Sequence, residues 1–431
     1  MVDSKEIINK DKEFYIQGYP RVPVVLVEGK GTILKDIDGK EYIDCLAGIA
    51  VNNVGHAPER LLHAATSQMS KLIHCSGLFY SLPQTLLAEK LAEITPGGLR
   101  HTFLCNSGVE AVENAVKLTK KFSISRGKTG ASIIALECSF HGRLGYSLSL
   151  TGQSKYKIGF GTYASAPGVV HAPAPYYYRS RLSKEECAIE AATRVEEIIT
   201  HHTTGDVGAM IIEPILGEGG MIVPPAEYFS TLQRILKEQD IPLIVDEVQT
   251  GFARTGKMFA CEHWNLQPDL MTMAKGLGGG MPIGAVISTK SIADSVELGD
   301  FFSTFGGNPV SCAVALENIA ILEEEELAKN AEKMGELIMS GLMELQQNKP
   351  LIGDIRGKGL MIGIELVKNQ KNKTPAKNET TKLVERMIHS GILIGSGGIH
   401  KNVLRIQPPL CISEEQVNQV LEVLNTEISK L

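Results

Sequence analysis

Residues 242–283, PLIVDEVQTGFARTGKMFACEHWNLQPDLMTMAKGLGGGMPI, set one carboxylate and one lysine at the ends of two short apolar runs. Leu243, Ile244 and Val245 lead into Asp246, and the run 269–273 leads into Lys275. Short apolar runs that end in polar and Gly-rich residues read as buried strands of an α/β sheet, whose ligands lie beyond the carboxyl ends of the strands. Asp246 and Lys275 are therefore expected on one rim of such a sheet.

A lysine followed by Gly276, Gly278, Gly279 and Gly280 reads as an amine placed to attack a carbonyl. An aspartate at the end of a neighbouring strand can hold a ring nitrogen protonated, and the pair is the pattern of pyridoxal phosphate chemistry, in which a lysine forms a Schiff base with the cofactor. Either residue alone is more simply a solvated surface side chain. A rival reading takes LIVDE as the acidic strand of a nucleoside triphosphatase, with Asp246 and Glu247 serving magnesium; it requires G-x-x-x-x-G-K-[ST]. The stretch 251–258 has Met258 where the hydroxyl belongs, and Lys128-Thr129 has Phe122 at the first glycine position, so the rival fails at both places.

At 431 residues the chain has room for two or three domains and a sizeable core. A composition 43% hydrophobic and 21% charged, with net charge −6, is that of a globular enzyme and argues against a general nucleic-acid binder, which needs clustered Lys and Arg. The first residues, MVDSKEIINKDKEF, contain no apolar signal core, and no stretch reaches the roughly 18 apolar residues of a membrane helix, so a cytoplasmic location is expected. Eight cysteines without C-x-x-C or Cys/His zinc spacing read as buried free thiols, and no metal site is expected.

Along the chain, residues 1 to 20 read as a polar helical lead-in, and strands are expected at 22–27, 32–36 and 42–44, with turns at 28–31 and at Asp38-Gly39. From about residue 60, helices (61–72, 86–94, 110–122) alternate with strands (102–105, 132–136, 209–212), the pattern of a mostly parallel, doubly wound sheet. After residue 311 long helices dominate (312–325, 327–346, 380–389, 414–431), with strands at 361–366 and 403–407. The expected organisation is an α/β protein with a large domain over 59–311 and a small α+β domain built from both ends, 1–58 and 312–431.

Two further segments bear on a site. Ser107 and Glu110 have capping-box spacing, and the same helix start offers free N–H groups and a positive dipole end to a phosphate, with Gly108 permitting close approach. Phe140, beside His141 and Gly142 at a strand's rim, is placed to stack on a flat ring, and the planar fork of Arg143 suits a carboxylate.

With these pieces in view, the chain resembles, end to end, the class III (subgroup II) pyridoxal phosphate-dependent aminotransferases of fold type I. The matching motifs are NSGVEA at 106–111, FHGR at 140–143, EPILGEGG at 213–220, DEVQTG at 246–251, AKG at 274–276, TFGGNP at 304–309, RGKG at 356–359 and LRI at 404–406. The resemblance implies that Lys275 carries the cofactor and that Asp246 pairs with its ring nitrogen. It further implies that Gln249 meets the ring hydroxyl, that Phe140 and His141 flank the ring, and that Ser107, Gly108 and Val109 hold the phosphate. Thr304 would reach the phosphate of a neighbouring subunit's site, which makes a homodimer, or a higher oligomer built from it, the expected assembly. Two positions depart from the usual motifs: Val109 stands where Thr or Ala is usual, and Leu144 follows the arginine where Thr is frequent.

The resemblance also implies ping-pong transamination, with Lys275 moving the proton. In that family an arginine placed like Arg405 takes an α-carboxylate, a glutamate placed like Glu218 neutralises it when the donor lacks one, and Arg143 takes the distal carboxylate; Ile49 and Glu213 complete the substrate side. Having all of these suits an ω-amino acid such as 4-aminobutyrate in one half-reaction and 2-oxoglutarate in the other, and the insert HAPAPYYYR at 171–179 resembles the same group. The segments LAGIAVNN at 46–53 and Phe79-Tyr80 resemble acetylornithine aminotransferases instead, and FACEH at 259–263 resembles diamine aminotransferases. Racemases or epimerases of amino acids share the chemistry up to the return of the proton and form a further alternative.

Overall fold

A computed structural model describes residues 3–431. Its centre is a seven-stranded sheet of β1 (His101–Cys105), β2 (Ser132–Leu136), β3 (Val169–Ala172), β4 (Val207–Ile212), β5 (Leu243–Asp246), β6 (Leu270–Met273) and β7 (Gly284–Ser288), in the order β1-β7-β6-β5-β4-β2-β3. β7 runs antiparallel to both neighbours, and the run from β6 to β3 is parallel. Every residue of β2, β4, β5, β6 and β7 is buried, which is why these strands read as unbroken apolar runs: both faces are covered. Side chains alternate between the two faces, Ile134 and Leu136 joining the larger core and Ile133 and Ala135 the smaller one under helix α1 (Gly108–Ser125). The expected mostly parallel, doubly wound sheet is present, and the carboxyl ends of β5 and β6 deliver Asp246 and Lys275 to one rim.

The ends of the chain meet beside this sheet. Leu26–Lys30, Ile33–Asp36 and Glu41–Asp44 form an antiparallel meander, to which Ile392–Leu393 adds in parallel next to Glu41–Asp44. Ile352–Lys358, Met361–Asn369, Val403–Ile406 and Gly395–Gly397 make a second antiparallel sheet. The eight cysteines are separate thiols, five buried and three half-buried.

Several expectations need correcting. The first strand lies at Leu26–Lys30, not 22–27, because Glu28 and Gly29 pair with Lys35 and Leu34 instead of turning. Gly29 is required by close approach: a Cβ there would stand 2.8 Å from Leu34 Cδ2 and 2.9 Å from His56 Cβ. The helical lead-in spans only Ser4–Phe14, started by the Asp3 carboxylate on the Glu6 amide; its expected first two residues lie outside the described residues. Two helices escaped the reading, Lys184–His202 and Ala226–Glu238, which pack on one another. The buried face of the first is mostly Ala and Cys, a weak hydropathy signal. β3, β7 and Ile352–Lys358 were not anticipated as strands either.

Residues Ala47, Gly48, Ile49 and Ala50 have φ of 50°, 64°, 67° and 58°, a left-handed turn with three non-glycine members. Such a conformation costs about 1–2 kcal/mol for each of them. It is held from outside: Asp44 Oδ1 accepts from the amides of Leu46 and Ala47 at 2.8 Å each, and Asp44 Oδ2 meets His56 Nε2 at 2.7 Å. Gln407 N donates to Cys45 O and Leu410 N to Asn53 O, so the segment is also tied to the far end of the chain.

Candidate active site

β1 runs into α1 through Asn106 and Ser107. Ser107 caps the helix, its Oγ accepting from the Glu110 amide at 3.3 Å. The reciprocal half of the box goes elsewhere: Glu110 Oε2 accepts from the Asn106 amide at 3.0 Å and from Asn106 Nδ2 at 2.9 Å. The amides of Ser107, Gly108 and Val109 are left without an acceptor among the described residues, at the positive end of an 18-residue helix. A Cβ on Gly108 would stand 2.8 Å from Val248 Cγ1, so a side chain there would push into the slot between helix start and Val248. This is a built cradle for an anion.

Asp246 is buried at the end of β5 and fixed on both oxygens. Oδ1 accepts from the Val248 amide at 3.1 Å and the Thr272 hydroxyl at 3.0 Å; Oδ2 lies 2.8 Å from His141 Nδ1. Since a carboxylate only accepts, Nδ1 carries the proton, and His141 Nε2 is buried with no partner. His141 itself is held by its amide on Thr151 Oγ1 at 3.0 Å. Through this bond His141 orients Asp246.

Lys275 follows β6 with φ of 45°, a left-handed conformation that turns a non-glycine residue out of the strand direction into the cavity. Burial lowers the pKa of its amine, and Asp246 and Glu213 pull it the other way without restoring it. Glu213 accepts from the amides of Phe140 at 2.8 Å and Gly217 at 3.0 Å, and burial pushes its carboxyl up to about 7.

These residues surround one cavity of about 500 Å³, lined by Ser107, Gly108, Val109, Phe140, His141, Arg143, Glu213, Asp246, Val248, Gln249 and Lys275, with Val51 and Leu144 at its margin. Arg143 makes no ion pair among the described residues; its guanidinium lies 4.5 Å above the Tyr156 ring, whose edge packs 5.3 Å from Phe140. Next to this wall stands a second carboxylate pair. Arg405 Nη1 meets Glu218 Oε2 at 2.5 Å, and Glu218 Oε1 accepts from the Tyr156 hydroxyl at 2.5 Å with Lys155 Nζ 3.6 Å away. Burial alone would raise the Glu218 carboxyl, but Arg405, Tyr156 and Lys155 outweigh it and hold it below its ordinary value.

The structure thus gathers the sequence-predicted residues 107–109, Phe140, His141, Arg143, Glu213, Asp246, Gln249 and Lys275 around the cavity, with the Glu218–Arg405 pair beside it. It places two others apart. Thr304 is exposed, and Ile49, 43% exposed, is not among the residues that line the cavity, where its neighbour Val51 stands. Sequence reasoning missed Thr272, Val248, Lys155 and Tyr156. For Thr272 a signal existed: it is the lone hydroxyl in the buried run LMTM, in register with Asp246.

A model of the family "Aminotransferase class-III" matches residues 14–428. The chain is 39% identical to an acetylornithine aminotransferase of Methanothermobacter thermautotrophicus over the full length of both. It is 37% identical to a 4-aminobutyrate aminotransferase of Mycobacterium leprae, over 94% of this chain and 90% of that one. Among solved structures it is similar to an omega transaminase from Pseudomonas jessenii in complex with PMP, with TM-score 0.93, 32% identity, and coverage of 98% of this chain and 97% of that chain.

Proposed function

The chain belongs to the class III aminotransferases and is a pyridoxal phosphate enzyme, and from that premise we propose that it moves the terminal amino group of an ω-amino acid, 4-aminobutyrate in type, to 2-oxoglutarate. The observation that carries this reading is the unequal state of two arginines: Glu218 neutralises Arg405 at 2.5 Å, while Arg143 opens on the cavity without an ion pair among the described residues. A donor with its carboxylate only at the end remote from its amine meets one available arginine. 2-Oxoglutarate, with a carboxylate at each end, needs both, and Arg405 serves it once Glu218 has moved.

The residues present fit the cofactor: three free amides at a helix start, a buried carboxylate fixed on both oxygens, and a lysine amine facing them across the cavity. When bound, pyridoxal phosphate supplies a carbonyl that takes the amine and a ring that spreads the electron pair left when the substrate carbon loses its proton. In this reading the amides of Ser107, Gly108 and Val109 hold its phosphate, and Asp246 keeps the proton on its ring nitrogen through a neighbouring negative charge. Gln249, Phe140 and Val248 all line the cavity; Gln249 would meet the ring hydroxyl, and Phe140 and Val248 would pack against the ring. Lys275, whose amine burial makes easier to deprotonate, accepts the proton from the substrate carbon and returns it one atom further on. Thr304, exposed in a single chain, belongs with the phosphate site of a second copy, giving a homodimer with composite sites, each subunit having a large domain over 59–311 and a small domain from 1–58 and 312–431. A cytoplasmic location accompanies the reading; among the described residues no helix is long and apolar enough to cross a membrane.

N-acetylornithine is the second reading, favoured by the relative from Methanothermobacter. It too carries a terminal amine and a remote carboxylate, so the same arginines serve it. The test is a donor panel of 4-aminobutyrate, β-alanine, N-acetylornithine, ornithine, putrescine and single-enantiomer α-amino acids, each with and without 2-oxoglutarate. Glutamate formed fastest from 4-aminobutyrate is the expected result. Preference for N-acetylornithine or putrescine overturns the first reading, and loss of optical purity without any oxo acid would point to racemisation.

A further inference from the structure

Resting on that reading, we propose that Tyr156 and Lys155 are specificity-determining positioning residues: they form the seat that keeps Glu218 when it leaves Arg405, and so set how readily the site changes from a donor lacking an α-carboxylate to an oxo acid bearing one. The two oxygens of Glu218 are divided between two jobs. Oε2 is on Arg405 at 2.5 Å; Oε1 is on the Tyr156 hydroxyl at 2.5 Å, with Lys155 Nζ 3.6 Å away. An arriving α-carboxylate competes only for the first oxygen, so Glu218 can swing about the second.

Swinging away exposes a problem of charge. The Glu218 side chain is only 21% exposed and Arg405 only 8%, and a carboxylate stripped of its guanidinium in such surroundings is costly unless other donors remain. Tyr156 and Lys155 are those donors. Lys155 is at 3.6 Å while Arg405 is in place, a distance that leaves room to close as the ion pair opens. Its ammonium is tethered meanwhile to Gly398 O at 3.3 Å, and Gly398 N donates to Glu218 O at 3.1 Å, so seat and swinging residue ride on one another's backbone. Arg405 for its part has a buried Nε without a partner, a donor unused until a substrate carboxylate arrives. Tyr156 reaches the other arginine as well, since Arg143 lies 4.5 Å above its ring. One side chain therefore touches both carboxylate sites. Because the two donors matter more once Arg405 has gone, removing either favours the closed pair and penalises the oxo acid selectively.

The test compares the two half-reactions separately by stopped-flow absorbance, 4-aminobutyrate with the aldehyde form of the holoenzyme and 2-oxoglutarate with the amine form. It is supported by calorimetric affinity for glutarate, which carries both carboxylates but no reacting carbonyl. Y156F and K155M are each expected to lower kcat/KM for 2-oxoglutarate and the affinity for glutarate on the order of tenfold relative to the 4-aminobutyrate half-reaction. K155R, which keeps the cation, should restore most of the ratio. In an E218A background the same substitutions should no longer change the ratio, since there is nothing left to seat. Equal slowing of both half-reactions by Y156F and K155M, or a ratio change that persists in E218A, overturns the proposal. A failure of the underlying reading looks different: R405A would then slow both half-reactions alike whatever Tyr156 and Lys155 do.

Discussion

Replacing Asp246 by asparagine keeps the shape of the carboxylate and removes its charge, and the structure dictates where the new amide nitrogen goes. Oδ1 faces the Val248 amide, a donor that cannot turn round, and the Thr272 hydroxyl, so the nitrogen is excluded from that side. Oδ2 faces His141 Nδ1, and that ring can move its proton to Nε2, which has no partner to lose. The amide nitrogen therefore faces His141, every hydrogen bond around residue 246 is remade, and the stability of Asp246→Asn should fall by no more than about 1 kcal/mol. Catalysis should fall much further. A carboxylate roughly 4 Å from a protonated ring nitrogen is worth about 4 kcal/mol at an effective dielectric constant of about 20, and that interaction is lost from both half-reactions. At about 1.4 kcal/mol per factor of ten, the expected loss is on the order of 10³ in each single-turnover rate. The assay is stopped-flow absorbance on holoenzyme whose cofactor content and melting temperature have been checked. A loss below tenfold in a fully loaded, folded variant would refute the assignment of Asp246 to the ring nitrogen.

Arg405→Ala should cost the 2-oxoglutarate half-reaction about 2–5 kcal/mol, the usual result of truncating one partner of a buried carboxylate pair, and the ω-amino-acid half-reaction clearly less; equal losses would remove Arg405 from α-carboxylate binding. Borohydride reduction of the holoenzyme followed by peptide mapping should label Lys275 alone, and Lys275→Ala should abolish both the label and turnover; a label on another lysine contradicts the site. Glu213 has its carboxyl raised from 4.5 to about 7 by burial, so the folded state holds the proton more tightly, and the stability it contributes is complete below about 4.5 and lost as pH rises through about 7. Denaturant unfolding of apoprotein should accordingly show the difference between Glu213→Gln and wild type moving in favour of the variant across that window and levelling above it, and a pH-independent difference would contradict the shift. Co-expressed Lys275→Ala and Thr304→Ala chains should give heterodimers with both defects in one site and the other site fully active. A heterodimer with one defect in each site, and so no fully active site, would place Thr304 in its own chain's site.

What the sequence makes legible follows from how a side chain earns its place. Asp246 and Lys275 are readable because each closes an apolar run, and the runs are unbroken because their strands are covered on both faces. Ser107 and Glu110 announce a helix start with free N–H groups by spacing alone, but not that Glu110 would turn to Asn106 and leave the Ser107 amide free as well. Thr272, Lys155 and Tyr156 act through groups that lie 26, 63 and 62 positions away in the chain, and no local pattern marks such pairs. Gly29 misled in the opposite direction: read as turn punctuation, it is a strand glycine admitting His56. Helix Lys184–His202 went unseen because four of its seven buried residues are Ala or Cys, whose small side chains make a weak apolar stripe.

The left-handed turn at Ala47–Ala50 has a consequence for the order in which a growing chain is completed. Its three non-glycine members are tolerable only while something outside holds them, and part of that hold arrives from Ile392–Leu393, Gln407 and Leu410. Asp44 and Ile392 are 348 positions apart, which at about 5–20 residues per second separates their synthesis by roughly 17 to 70 s. In the last part of that interval, after residue 288, the central strands from β1 to β7 can already pair, since all of them lie between residues 101 and 288, while the segment that carries Val51 to the cavity wall has its ties to Phe252 and Arg254 through Asn53 but not those to residues 392–410. The nascent protein therefore passes through a stage with its sheet built and the left-handed turn only partly held, and the remaining ties wait for residues 392–410. A chain stopped short of residue 392 would keep the aspartate and the lysine yet lack part of what fixes the turn leading to Val51 beside them.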